Sequence, residues 1–391
     1  MMDKEGGIVV RFIIFETKRF LANPKNKIVL GLLVLVFFAS FGFSQLVSKQ
    51  RFLEAELAGS RFNLQQSTQN LQQLEETYRL NPENEELSKR IEKARKEQDL
   101  FSQQLYALER NDSNQYAKIE TQLIKEQIST KDKDDKDYQE LQSKIAYYDR
   151  VEKAGGSHSS TINNVDESAF RVASSLMSLL SSIVVYILVA VLVSDTLSHE
   201  IESNQIRFDP LRGKRTVTQL FLKLLIPSTI TFIVTIFSFF IIYVIHGCIH
   251  TFGSWDYPYF FPDRSMTAVG VISFYSLTFY WFAILFLSSL GQLLSLLFRK
   301  SLVVIGLIAL LLTGFLTLSQ EEWFQTFKVY LPFEYLGYGH MRMDASILPQ
   351  QAVLIGILYL GGLIFLFFLL ASYLYRHYYH RREGNYDRAS Y

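Results

Sequence analysis

One cysteine, Cys248, stands among 391 residues. That excludes a disulfide framework, so any part of the chain outside a membrane has to hold together by packing alone. Ionisable side chains are also missing where a carrier would want them: away from their ends, the long apolar runs contain no Asp, Glu, Lys or Arg. Proton- and ion-coupled carriers need such groups at depth to bind and relay the coupling ion, so the energy for any transport has to come from elsewhere. A phosphate-cradling loop is absent too. The nearest approach to G-x-x-x-x-G-K-[ST] is Gly213-Lys214-Arg215, which lacks the first glycine and the hydroxyl after the lysine. An ATPase, with its ATP and magnesium, would therefore be a separate chain. No Ser-His-Asp or paired-carboxylate arrangement suggests catalysis, and the chain reads as no enzyme.

Apolar residues are abundant. Hydrophobic side chains make up 49% of the chain and aromatic ones 15%, a composition that points to membrane spans rather than a soluble core. Six segments reach the roughly 20 apolar residues needed to cross a bilayer. They lie at 28–47, 170–194, 221–246, 267–298, 301–318 and 352–375. The first is read as a retained span, not a cleaved signal, because it is long, has no small-x-small cleavage pattern and follows Arg11, Lys18, Arg19, Lys25 and Lys27.

Charge in the connections orients the chain. Seventeen Lys and Arg fall in residues 1–27, the loop through Lys223, the Arg299-Lys300 turn and the tail, against three in the short loops on the other side. Cytoplasmic termini follow. The expected fold is an all-α membrane protein with six transmembrane helices, cytoplasmic termini and an extracellular α-helical hairpin domain over 48–169.

That external stretch has a periodicity of its own. Leu53, Leu57, Ser60, Leu64, Ser67, Leu71, Leu74 and Tyr78 alternate spacings of four and three, and Leu87, Ile91, Ala94, Gln98, Phe101, Leu105 and Leu108 resume the pattern. Asn81-Pro82 between them reads as an N-cap followed by proline at the first helical position. Two such seams form an antiparallel hairpin with arms ~40 Å long. Further helices are expected through Ile119 and Leu123 and through Tyr138, Leu141 and Ile145, with KDKDDKD as a solvated break. With 18 basic and 23 acidic residues, the domain has no basic stripe of the kind nucleic acid needs.

Between the second and third spans lies HEIESNQIRF, followed by a proline, basic residues and Lys223 at the start of the next span. This resembles the loop after the second span of ABC-2 type transporter permeases, the membrane subunits of bacterial ABC exporters. FETKRFLANPKNKIVL at 15–30 resembles that family's interface helix and first-span entry, and YLPFEYL at 330–336 resembles its segment before the last span. The layout agrees over the whole chain. Asn204 stands where the family usually has glycine, and Arg-Gly-Lys-Arg replaces the usual proline-x-x-arginine order.

The resemblance implies roles. Residues 195–220 would be a coupling loop, with Glu200, Glu202, Arg207, Arg212 and Arg215 facing an ATPase; without it, these are anchors and solvated charges. Residues 8–22 would form an interface helix, with Phe12, Phe15 and Phe20 apolar and Arg11, Glu16, Lys18 and Arg19 polar. Residues 319–351 would be re-entrant helices or an aromatic belt, and 376–391 a cytoplasmic tail. Ser174, Ser178 and Ser181, with Ser175 and Ser182 beside them, share one helical face of the second span and would line a translocation path or allow close helix packing. Without charge in that path, an amphipathic peptide, an antimicrobial or a lipid-like molecule suits it better than a bare ion. His246 and His250 flank Cys248 at a metal-compatible spacing but lack further ligands, and no metal site is expected.

The leading expectation is an exporter permease in a bacterial plasma membrane, paired with itself or a paralogue and with two ATPase subunits. A mechanical or signalling device working through the hairpin on the cell wall is the alternative, and a membrane-anchored scaffold is the third.

Overall fold

The computed structural model describes residues 2–110, 112–129, 136–153, 168–205, 216–261, 265–338 and 349–386. These residues are mostly helical. Five helices are long and apolar enough to cross a membrane: Pro24–Leu46, Val217–Ile249, Val269–Phe298, Ser301–Leu318 and Val353–His377, with a sixth span if one bent pair is counted as a single crossing. The expected spans thus have helical counterparts, shifted by a few residues.

The bent pair departs from expectation. Residues 170–194 read as one continuous helix, but Ala169–Ser181 and Ile183–Val193 meet at 67°. The serines that seemed to form a stripe explain the break. Ser175 Oγ donates to the Val172 carbonyl at 2.8 Å, Met177–Ser181 tightens into a 3-10 turn, and Ser182 adopts extended angles so that its side chain accepts from Val185 N. Hydroxyls that compete for backbone partners favour caps over helix interiors, and five within nine residues end the helix.

The chain divides into two compact units. The first comprises 1–39, 176–241 and 273–391. In it α1 (Met2–Ala22), α2 (Pro24–Phe43, up to residue 39), α8 (Ile183–Val193), α9 (Thr196–Glu202), α10 (Thr216–Ile249, up to residue 241), α11 (Val269–Phe298, from residue 273), α12 (Ser301–Leu318), the single turn α13 (Gln325–Lys328) and α14 (Pro349–Tyr386) surround buried apolar side chains. Hydroxyls and amides supply polar contacts between α10 and α11: Thr235 Oγ1 meets Tyr280 OH at 3.1 Å, and Gln292 Nε2 donates to Leu220 O at 3.1 Å. Such pairs act as glue where surrounding lipid gives no hydrophobic drive for helices to associate.

The second unit comprises 40–175 and 242–272. Here α3 (Lys49–Leu80) and α4 (Glu85–Glu109) run side by side, joined through Leu71, Ile91 and Ala94, by Gln98 Nε2 donating to Thr68 Oγ1 at 3.0 Å, and by an Arg95–Glu75 ion pair. The turn differs from expectation. Asn84, not Asn81, caps α4, its side chain accepting from Leu87 N at 3.1 Å. Pro82 instead occupies a turn closed by Asn84 N donating to Asn81 O, and Glu85 and Glu86 fill the first helical turn, where acidic groups oppose the helix dipole.

α5 (Ser113–Ile128) and α6 (Lys136–Lys153) follow. Because α5 also packs on α4, the buried residues in the second half of α4 are Leu100, Gln104, Ala107 and Leu108, while Gln98, Phe101 and Leu105 are only half-buried. The expected break at KDKDDKD falls largely on residues 130–135, outside the described residues. The unit ends in α7 (Ala169–Leu176, to residue 175) and in a two-stranded ribbon that the all-α expectation lacked. β1 (Pro258–Phe260) pairs antiparallel with β2 (Met266–Ala268), and Tyr257 closes a cluster with Tyr147, Tyr148 and Val151.

Candidate functional site

The charged loop after the broken span folds inward. Ser194 ends α8, and its backbone lies so close to α11 that a Cβ on Gly291 would come within 2.4 Å of it. Ser295 Oγ donates to Ser194 O at 3.2 Å across the same contact. The chain then bends at Ser194–Asp195 into α9, whose Leu197, Ser198 and Glu200 are buried while His199 is exposed. Leu197 packs with Leu220, Leu296, Ala371 and Tyr375, which fixes the short helix against three others.

Glu200 is the centre of this arrangement. Its side chain is 1% exposed, and one carboxylate oxygen accepts from Arg19 Nη1 at 2.5 Å. The other accepts from Lys223, whose side chain is fully buried. Arg19 also reaches Glu16 at 3.5 Å, so two acids and two bases balance. Beside them Lys25 Nζ lies 2.6 Å from Asp195 and donates to Val191 O at 2.9 Å. Ser301 Oγ donates to Asp195 Oδ2 at 2.6 Å, and Ser301 N donates to Glu202 Oε1 at 3.0 Å. Two carboxylates from the α9 region thus serve the start of α12, where backbone N–H groups are orphaned and the dipole favours negative charge. A small cleft of about 40 Å³ opens here among Arg19, Asn26, Asp195, His199 and Lys223.

The residues expected at a coupling surface take different places. Glu200 is occupied internally and does not face outward, because it has two cations to neutralise. Glu202 remains exposed but accepts from the first N–H of α12. Arg207, Arg212 and Arg215 lie outside the described residues. The exposed edge of α9 consists of His199, Glu202, Ser203 and Asn204. Asn204 has a φ of 55°, the left-handed conformation that commonly ends a helix. Glycine adopts it freely and asparagine more readily than most residues, which explains asparagine at that position.

The residues expected on the interface helix divide as well. Its inner stripe is Phe12, Glu16 and Phe20, four residues apart, with Phe12 packed on Leu222 and Ile226 of α10. Glu16 lies on that stripe, where Arg19 neutralises it. Arg11 and Lys18 are exposed as expected, but so are Ile13, Ile14 and Phe15.

Among the path residues, Ser174 lies on α7 and Ser178 and Ser181 in the 3-10 turn that follows it, all three before the break. Ser181 lines a cavity of about 80 Å³ with Tyr186, Phe315, Phe333 and Glu334. Glu334, in the YLPFEYL stretch, was not singled out beforehand. It is buried 4.0 Å from Lys328, and only tertiary contact exposes its position beside the span break. Trp323, Phe327 and Tyr330 are exposed and Phe324 is buried, while residues 339–348 lie outside the described residues. The rings of His246 and His250 lie 4.5 Å apart, and among the described residues no group of three possible metal ligands forms.

No protein-family model, curated protein or solved structure matches the chain. Its function is therefore argued from this geometry and from the residues themselves.

Proposed function

We propose that the chain is the permease subunit of an ATP-driven ABC-2 type exporter, with cytoplasmic termini, an extracellular hairpin and a separate ATPase that binds ATP and magnesium. One observation carries this reading: the first part of the loop between the second and third candidate spans, residues 195–202, is bonded to three long helices. Glu200 is tied to α1 through Arg19 and to α10 through Lys223, while Asp195 and Glu202 seize the start of α12. A push on the exposed edge of α9 would reach three long helices without loss in a flexible linker. A solvated anchor loop requires no such wiring. The expected substrate is amphipathic or lipid-like, the second permease is a copy or a paralogue, and α1 lies along the bilayer surface with its exposed Ile13, Ile14 and Phe15.

The test is co-purification from the native membrane, comparing the intact protein with His199→Glu plus Ser203→Glu, which changes only exposed positions. An ATPase recovered with the intact chain and lost with the variant is the expected result. Absence of an ATPase from both would overturn the reading and leave a scaffold.

A mechanical or signalling device is the second reading. It is favoured by α3, whose 32 residues extend ~48 Å at ~1.5 Å per residue, longer than a gate requires. Shortening the hairpin around Asn81–Asn84 separates the two: export lost supports a role in the path, whereas export kept with an altered cell wall supports the device.

A further inference from the structure

Six charged side chains are buried among the described residues: Glu16, Arg171, Asp195, Glu200, Lys223 and Glu334. Five of them have an opposite charge within reach, through Arg19, Lys25, Lys328 or each other. Arg171 has none. It is 6% exposed, and both terminal nitrogens, Nη1 and Nη2, are shielded from solvent without a hydrogen-bond partner. Its one compensation is the face of Tyr257, 4.3 Å below the guanidinium carbon. Desolvating a guanidinium costs more than one aromatic face returns.

The surroundings indicate what completes it. Arg171 lies in the first turn of α7, where one candidate span begins; α10 ends nearby at Ile249 and α11 begins at Val269. Backbone bonds hold these ends together: Ala169 N to Thr251 O at 2.7 Å, Phe170 N to Phe252 O at 3.0 Å, and Gly270 N to Trp255 O at 3.1 Å. Phe252 and Trp255 are about half exposed, and Ile249 is 68% exposed. Three span ends rimmed by exposed aromatic and aliphatic side chains mark the water–lipid boundary, the depth at which phosphodiester groups lie.

We propose that Arg171 anchors a site for a phosphate ester at this boundary, filled by a phospholipid headgroup whose chains lie against Ile249, Phe252 and Trp255. The guanidinium fork matches two phosphate oxygens, and the phosphate supplies the negative charge that no described residue supplies. Both terminal nitrogens are enclosed as they stand, so occupation requires the neighbouring groups to shift, Tyr257 first. The inference depends on the chain spanning a membrane and not on its being an exporter.

The test is thermal unfolding of the full chain in neutral detergent, titrated with short-chain phosphatidylglycerol, with diacylglycerol of the same chain length and with inorganic phosphate. The wild type should melt higher with phosphatidylglycerol and be unmoved by diacylglycerol. Arg171→Met should melt no lower than the wild type without lipid, since a lone buried charge is gone, and should bind phosphatidylglycerol about 10-fold or more weakly, the loss expected for charge-assisted hydrogen bonds. Arg171→Lys keeps the charge without the fork and should give a weakened response, which keeps the test valid if the Met variant does not fold. An equal rise with inorganic phosphate, abolished in Arg171→Met, upholds the site with free phosphate as its source. A response unchanged in both variants overturns the proposal, as does a wild type that responds to neither phosphatidylglycerol nor phosphate.

Discussion

Removing the Glu200 carboxylate breaks an ion pair with Lys223, whose side chain is fully buried. Breaking one member of such a pair costs about 3–5 kcal/mol, so Glu200→Gln should lower the melting temperature sharply. Glu200→Gln combined with Lys223→Met should recover part of the loss, because the buried ammonium is removed together with its carboxylate partner. A single variant as stable as the wild type would show that the cluster is not a buried ion network. Asn204 gives a separate test at the end of α9. Glycine there should be tolerated, whereas Asn204→Val should destabilise by ~1–2 kcal/mol, because a β-branched residue opposes the left-handed φ of 55°. Equal melting temperatures for Val and Gly would refute that geometry.

Contacts between elements turn on small volumes and on one half-buried acid. Gly291 lets α11 meet the backbone of Ser194, and Gly291→Ala should cost ~1–3 kcal/mol through overpacking, read as a lower melting temperature. In the hairpin unit, burial raises the carboxyl of Glu120 above its ordinary 4.5, partly offset by the hydrogen bond from Gln104 and the nearby Lys144. The folded chain therefore holds a proton that the unfolded chain has released over the interval between 4.5 and the raised value. Stability of this unit is full below that interval and falls as pH rises through it. Hydrogen exchange of α4, α5 and α6 amides in the intact protein should accelerate accordingly from acid toward neutral pH. Glu120→Gln should flatten that dependence, and an undiminished slope in the variant would place its origin elsewhere. Burial likewise holds the phenols of Tyr116 and Tyr148 protonated, their titration moved above the ordinary tyrosine range.

For the molecule as a whole, the arrangement in the membrane is the decisive property. Cys248 is exposed near the end of α10, and no second cysteine competes for a reagent. The proposed orientation, with cytoplasmic termini, puts that end outside, so a membrane-impermeant maleimide should label Cys248 on intact cells. Labelling only after permeabilisation would invert the orientation, and with it the outward placement of the hairpin.

Several features could be read in the chain before folding. The spans were visible because crossing hydrocarbon demands long apolar runs whatever their neighbours, and the α3–α4 hairpin because its four-three spacing is local. Asn204 was noticed as a departure, although only its φ shows why asparagine suits that position. Tertiary structure alone decided where the charges go. From sequence, Glu200 and Glu202 formed one polar face with the arginines that follow, yet Glu200 turned inward, since its cations, Arg19 and Lys223, come from positions 181 residues before it and 23 after. The serine stripe changed meaning for a related reason: side-chain hydroxyls choose between a neighbouring helix and their own backbone only once packing is set. Arg171, near the start of an apolar run, carries no mark in the sequence, and burial without a counter-charge among the described residues sets it apart. Apolar length is a property of the chain, whereas the pairing of buried charge depends on which distant segments meet.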